Sequence, residues 1–210
     1  MADINRDKAL ELGRRSMAQQ VEALQSLSEG LGEPYLRCAR LLAECQGLVW
    51  VTAVGTSAAV GERFAHILTC SGARSMFLSP GEGLHGHTGV MTPDDILVTM
   101  SRGGESREVN QMAAIANQRG LTTVAFVHDT HSTLAKSCQV VLPIQSPQEY
   151  ELMGYLATTS TVAFSAMCDA LCAVVLEAKE YNPEQFAKTH PGGAVGHVLA
   201  SNQEHLEEAD

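Results

Sequence analysis

Residues Ser101-Arg102-Gly103-Gly104-Glu105-Ser106 bring two hydroxyls, two glycines, a guanidinium and a carboxylate into six consecutive positions. The apolar run Ile96-Leu97-Val98-Thr99-Met100 precedes them, and a helix-like pattern starts near Arg107. A strand, a tight turn and a helix start make an anion cradle. Glycine lets the backbone turn and approach closely, and N–H groups with the positive end of the helix dipole favour negative charge there. Arg102 either clamps a phosphate bidentately or lies in solvent. Glu105 sets an acid or base beside the held anion, which points to proton transfer on a phosphorylated small molecule. The plainer alternative is an ordinary turn in which Ser106 only caps the helix.

A second turn, Gly55-Thr56-Ser57, follows the apolar run Leu48–Val54 and repeats the strand–turn–helix pattern. Thr158, Thr159, Ser160 and Thr161 fall inside an expected helix over 149–179, although these types are poor helix formers. Such a conflict marks either a site or hydroxyls bonded back to helix carbonyls. Glu82, His85 and His87 lie on a Gly-rich stretch, 79–87, expected to be a loop. They suit acid–base work or supply two metal ligands, and a metal normally needs three or four. No metal site is expected. His190 precedes Pro191-Gly192-Gly193, stiff backbone followed by permissive backbone, and serves either a site or a helix entry.

The elements that must position these residues alternate. An amphipathic helix is expected over 5–29, with Leu10, Met17, Val21, Leu24 and Leu27 on one stripe, and a second helix over 35–45. Strands are expected at 48–54, 74–78, 95–100, 121–127 and 139–144, with helices from Thr56 to about 71 and over 107–119, 131–137, 149–179 and 194–200. Strands separated by helices imply right-handed crossovers and a five-stranded parallel sheet covered on both faces. Ligands then bind beyond the carboxyl ends of the strands. One domain over 1–210 is expected.

A net charge of −10, from 14 basic and 24 acidic residues, argues against a general nucleic-acid surface. It leaves room for an anionic ligand, because oriented N–H groups hold phosphate on an acidic protein. The six cysteines form no C-x-x-C pair, and Cys168 and Cys172 share one helix face, as core residues do. The charged N-terminus is unlike a secretory leader, and no run of about 18 apolar residues suggests a membrane span. A cytoplasmic protein without a membrane partner is the expectation.

On these residues the chain resembles the SIS (sugar isomerase) domain family, most closely its D-arabinose 5-phosphate isomerase branch. The resemblance covers about residues 35–200 and rests on Ser79 to Gly86, Ser101 to Ser106, Ala157 to Thr161, and Thr189 to Gly196. It implies a flavodoxin-like sheet and a homotetramer with sites between subunits, to which His190 comes from a neighbouring chain. It also implies phosphate contacts from Ser57, Ser101, Ser106 and Thr161. Acid–base and sugar contacts would come from Glu82, His85, Glu105, Glu149 and His190. The branch usually has a lysine where this chain has Thr56, an asparagine at Arg102 and a serine at Gly103. The paired CBS modules of many relatives are not expected.

The expected function is a cofactor-free aldose–ketose isomerase of a phosphosugar acting through an enediol, with Glu105 as first candidate base and Glu82 as second. A phosphosugar sensor without turnover is the alternative.

Overall fold

The apolar runs form five short strands because each is bounded by turn residues and holds no helix-length pattern. The computed structural model describes residues 5–192 together with Gly196 and Val198. Among the described residues the strands are β1 (Val49–Ala53), β2 (Ser75–Phe77), β3 (Ile96–Met100), β4 (Thr122–Val127) and β5 (Val140–Pro143). They pair in the order β2-β1-β3-β4-β5, and every pair is parallel. The order reverses direction between β1 and β3, the switch point at which such sheets open a crevice. Register sets Ala53 beside Met100 and Met100 beside Phe126, so the three central strands end level.

Eight α-helices among the described residues surround the sheet: α1 (Arg6–Glu29), α2 (Glu33–Glu44), α3 (Thr56–Cys70), α4 (Pro80–Leu84), α5 (Arg107–Gln118), α6 (Thr133–Ser137), α7 (Thr159–Ala178) and α8 (Pro183–Thr189). The two-residue period of the strands divides the core. Val49, Val51, Val98, Met100, Val124 and Phe126 meet α2, α3 and α7 on one face. Trp50 and Leu97 meet Met112 and Ala116 of α5 on the other, where Ala125 and Val127 meet Val109, Ala113 and Leu134. Helices on both faces explain why β1 and β3 are apolar at successive positions.

By length and composition α7 is apolar enough to cross a membrane, with a mean hydropathy of 1.7. It is the central helix of the larger core cluster instead: Phe164, Met167, Cys168, Leu171, Cys172 and Val175 are all buried there. At the opposite edge of the sheet from the cradle, the buried Asp95 carboxylate accepts from the N–H groups of Leu48 and Thr92 at 2.7 and 2.8 Å and from the Trp50 indole at 3.1 Å. Burial pushes its carboxyl up, but these hydrogen bonds outweigh burial and hold it below the usual carboxylate range.

Four expectations change. The helix placed at 149–179 begins only at Thr159; a 3₁₀ turn over Gln148–Tyr150 and a loop precede it. The hydroxyl run therefore sits at the helix start, where such residues are favoured rather than costly. The segment 79–87 is not all loop: Ser79 caps the short α4, with Pro80 in its first turn. The stripe on α1 is not buried along its length; Leu10, Met17 and Val21 are exposed, and Ala23 is the buried residue. The fourth change is α8, a stretch of the tail to which apolar spacing assigns no helix; Asn182 and Gln185 form its capping box. The helix expected at 194–200 lies outside the described residues except for Gly196 and Val198.

Candidate active site

The turn after β3 is built around Ser101, which is buried. Its hydroxyl lies 3.2 Å from the Ser106 hydroxyl and accepts from the Gly104 N–H at 3.1 Å. Gly104 has φ +67°, a left-handed conformation, and a Cβ there would lie 2.1 Å from the Ser132 hydroxyl. Its carbonyl accepts from the Leu134 N–H, which binds the turn to α6. Gly103 is exposed and faces open space. The turn after β1 is similar: Gly55 has φ +60°, Thr56 is exposed and Ser57 is half-buried.

Among the described residues neither α3 nor α5 begins with a side-chain cap, although α1, α4, α6 and α8 all do. The start of α2, after Gly32, lacks one too. Those of α3 and α5 stand at the ends of neighbouring strands, with Ser57, Ser101 and Ser106 around them. Orphan N–H groups, hydroxyls and two helix dipoles thus gather at the carboxyl ends of β1 and β3, the components that an anion site requires. The start of α7 reaches the same edge. A groove of about 440 Å³ between α3 and α7 is lined by Thr56, Val60, Arg63, Thr161 and Ser165, among others.

Other candidates have partners. Glu105 accepts from the Thr133 N–H and the Thr133 hydroxyl, each at 2.8 Å. These two bonds hold its carboxyl below the usual range. Thr158 donates its hydroxyl to Glu151 at 3.2 Å, and the Thr161 hydroxyl bonds back to the Thr158 carbonyl at 2.7 Å. Arg102 donates to the Gln148 side chain and to the Ser146 carbonyl, and its Nε lies 3.6 Å from Glu151. That last contact is an ion pair rather than a hydrogen bond, since the buried Nε has no hydrogen-bond partner among the described residues. Glu149 is exposed on the turn next to Gln148.

Glu82 and His85 lie on α4 and its C-cap, on the segment leaving β2, which is the neighbour of β1. Both side chains border solvent, and the Glu82 carboxylate is 3.8 Å from His87. His190 stands apart. Its ring stacks on Phe186 at 3.7 Å, and Nε2 lies 3.4 Å from Cys70, the last residue of α3. The other end of α3, 15 residues long, is at the cradle. Within one chain the helix separates the two by about 20 Å.

Sequence patterns missed Glu151, which is 4% exposed. It accepts from the N–H groups of Thr158 and Ser160 at 2.6 and 3.0 Å and so caps α7 from eight residues upstream. Burial raises its carboxyl pKa, but the bonds from Ser160 and Thr158 win and hold it low. A carboxylate flanked by Tyr150 and Leu152 carries no spacing signal for that role.

The SIS domain model matches residues 42–174, and the chain belongs to the SIS domain family. Among relatives, it is 32% identical over 200 residues to the arabinose 5-phosphate isomerase GutQ of Salmonella typhi, across 95% of this chain and 62% of GutQ. It is 34% identical to the arabinose 5-phosphate isomerase KpsF of Escherichia coli, across 89% of this chain and 57% of KpsF. The chain thus spans about three fifths of these curated relatives' length. Among solved structures, the c3406 protein of E. coli CFT073 in complex with arabinose 5-phosphate superposes with a TM-score of 0.84 at 24% identity, covering 90% of this chain and 100% of that one. That likeness bears on the fold, which is the α/β sheet expected from the sequence.

Proposed function

We propose that the chain binds a phosphosugar at the carboxyl edge of β1 and β3 and interconverts its aldose and ketose forms, with arabinose 5-phosphate as the first substrate to test. The observation that carries this is the pair of uncapped helix starts, α3 and α5, set beside Ser57, Ser101 and Ser106. The phosphate would take the orphan N–H groups, and the Thr56–Thr161 groove would receive the sugar chain. Names of relatives that isomerise arabinose 5-phosphate support the substrate class.

The reaction needs a base to remove the proton beside the carbonyl, an enediol, and return of the proton to the adjacent carbon. No redox cofactor or metal enters that sequence. Glu105 is adjacent to the cradle and remains the first candidate base; as such it would have to leave Thr133, whose two hydrogen bonds occupy both carboxylate oxygens and weaken it as a base. Glu82 is the second, and Glu149 and His85 are sugar contacts. His190 would polarise the carbonyl or open the ring from a neighbouring chain, because α3 keeps it from its own cradle. A site shared between subunits follows from that arrangement, and a homotetramer in the cytoplasm is part of the same proposal.

The test is incubation with a panel of aldose and ketose phosphates in deuterated water, following C–H exchange by NMR. Exchange with one sugar supports turnover and names the substrate. Saturable binding without exchange selects a sensor, and no binding of any sugar phosphate ends the proposal.

A further inference from the structure

We propose that Arg102 and Glu151 act as a positioning pair that sets the spacing between the two halves of the anion site; this rests on the phosphosugar reading above. Arg102 stands inside the cradle turn, between Ser101 and Gly103. Its carbonyl accepts from the His128 N–H at 2.9 Å, which pins the turn to the segment after β4. Its side chain leaves the turn for the 146–151 segment, where it meets the Ser146 carbonyl, Gln148 and Glu151. Glu151 in turn closes a loop. Its Oε2 accepts from the Thr158 N–H and hydroxyl, and its Oε1 from the Ser160 N–H, while Leu152 donates its N–H to Thr158 Oγ1.

An unbroken series of contacts therefore runs from Ser101 through Arg102 and Glu151 to the first turn of α7. That turn carries Thr161, which faces Thr56 across the groove. The Glu151 side chain is 1% exposed and that of Arg102 is 24% exposed. A carboxylate so deeply buried needs its counter-charge in a fixed place. The same guanidinium that neutralises it also fixes the cradle turn against α7.

A direct phosphate clamp by Arg102 predicts the opposite response to one substitution. Glu151→Gln keeps the shape and releases the guanidinium. A clamp would then grip phosphate more tightly. A positioning pair loses register, and a displacement of the grip away from the reacting carbons is expected to lower kcat/KM for the phosphosugar about tenfold or more, chiefly through kcat. Arg102→Ala should match that loss, Arg102→Lys should recover part of it, and the double variant should be no worse than the worse single one.

Amide hydrogen exchange over 101–106 and 158–161, in the wild type and the same variants, is the readout independent of any sugar. Faster exchange in both segments after either single substitution supports the pair. Unchanged exchange, or tighter phosphosugar binding by Glu151→Gln, overturns it. If the wild type binds no sugar phosphate, the phosphosugar reading fails, and the exchange data still decide whether the two segments are coupled through this pair.

Discussion

Replacing Gly104 by alanine tests the cradle at its tightest point. The residue has φ +67°, where an L side chain costs about 1–2 kcal/mol. The added methyl would also lie 2.1 Å from the Ser132 hydroxyl and 2.4 Å from its Cβ. Ser132 is 2% exposed, its hydroxyl donates to the Asp129 carbonyl at 2.7 Å, and it caps α6, so it has little room to withdraw. Overpacking of this kind adds about 1–3 kcal/mol. The sum is a loss of about 2–5 kcal/mol, or roughly 4–20 °C in melting temperature for a chain of this size. Urea unfolding and calorimetric titration with the phosphosugar read both consequences, since the turn that must shift also holds Ser101 and Ser106. Gly103→Ala is the control: no described atom lies within 4 Å of its Cβ, and its stability should change by less than about 1 kcal/mol. Adding Ser132→Gly to Gly104→Ala should remove the steric part and leave the backbone part, at a few tenths of a kcal/mol for the weaker cap. A Gly104→Ala protein within about 0.5 kcal/mol of the parent, with unchanged sugar-phosphate binding, would refute the account of this turn.

Glu105→Gln should lower turnover at least about a hundredfold while binding survives, and near-normal turnover would remove Glu105 from the mechanism. Mixed with His190→Ala, it should regain activity, in about one site in four by random pairing if each site draws on two chains; two inactive proteins that stay inactive after subunit exchange would contradict a shared site. Asp95→Ala should cost about 2–4 kcal/mol, because one buried and two part-buried donors lose their acceptor. Its carboxyl is held low in the folded chain, so this stabilisation is complete above the unfolded value near 3.9 and fades as pH falls through the lower folded one. The stability gap between wild type and variant should therefore narrow in acid, and a gap that widens below about pH 4 would be the wrong sign. Burial pushes the Cys38 and Cys172 thiols up to about 12 and Cys168 well above its ordinary value. A thiol reagent at about pH 8, near the ordinary thiol pKa, should modify these three only after denaturation, and fast native labelling of Cys168 would argue against the α7 packing.

The sheet was legible because each strand is a short apolar run closed by turn-forming or polar residues, and because helices between parallel strands leave few topologies. The cradle was legible for the same reason: Ser101 to Ser106 occupy six consecutive positions, and their local order already encodes the turn. The start of α7 was misplaced because apolar spacing continues upstream through Leu152, Met153 and Leu156, whereas the chain turns at Gly154 with φ +75°. Signals for α4 and α8 were present in Ser79-Pro80 and in Asn182-Pro183 with Gln185, a cap followed by proline in the first turn. Two features had no local signal. Arg102 and Glu151 are far apart in sequence and meet only when the 146–158 segment folds back over the end of β3. The stripe on α1 shows an amphipathic helix, but periodicity does not say what covers it.

Two helices at the cradle begin unfinished. A side-chain cap at α3 and α5 would close their first turns and add stability to the unliganded protein, and it would occupy the place of the anion. On the proposed reading, a dianion settling there would supply the missing piece of both helices. It should therefore raise the melting temperature in step with its concentration, by RT ln(1 + [L]/Kd) in free energy. It should also slow amide exchange at two helix starts that lie some fifty residues apart along the chain. Ligand and fold would then be read by the same thermometer, with no catalytic assay needed.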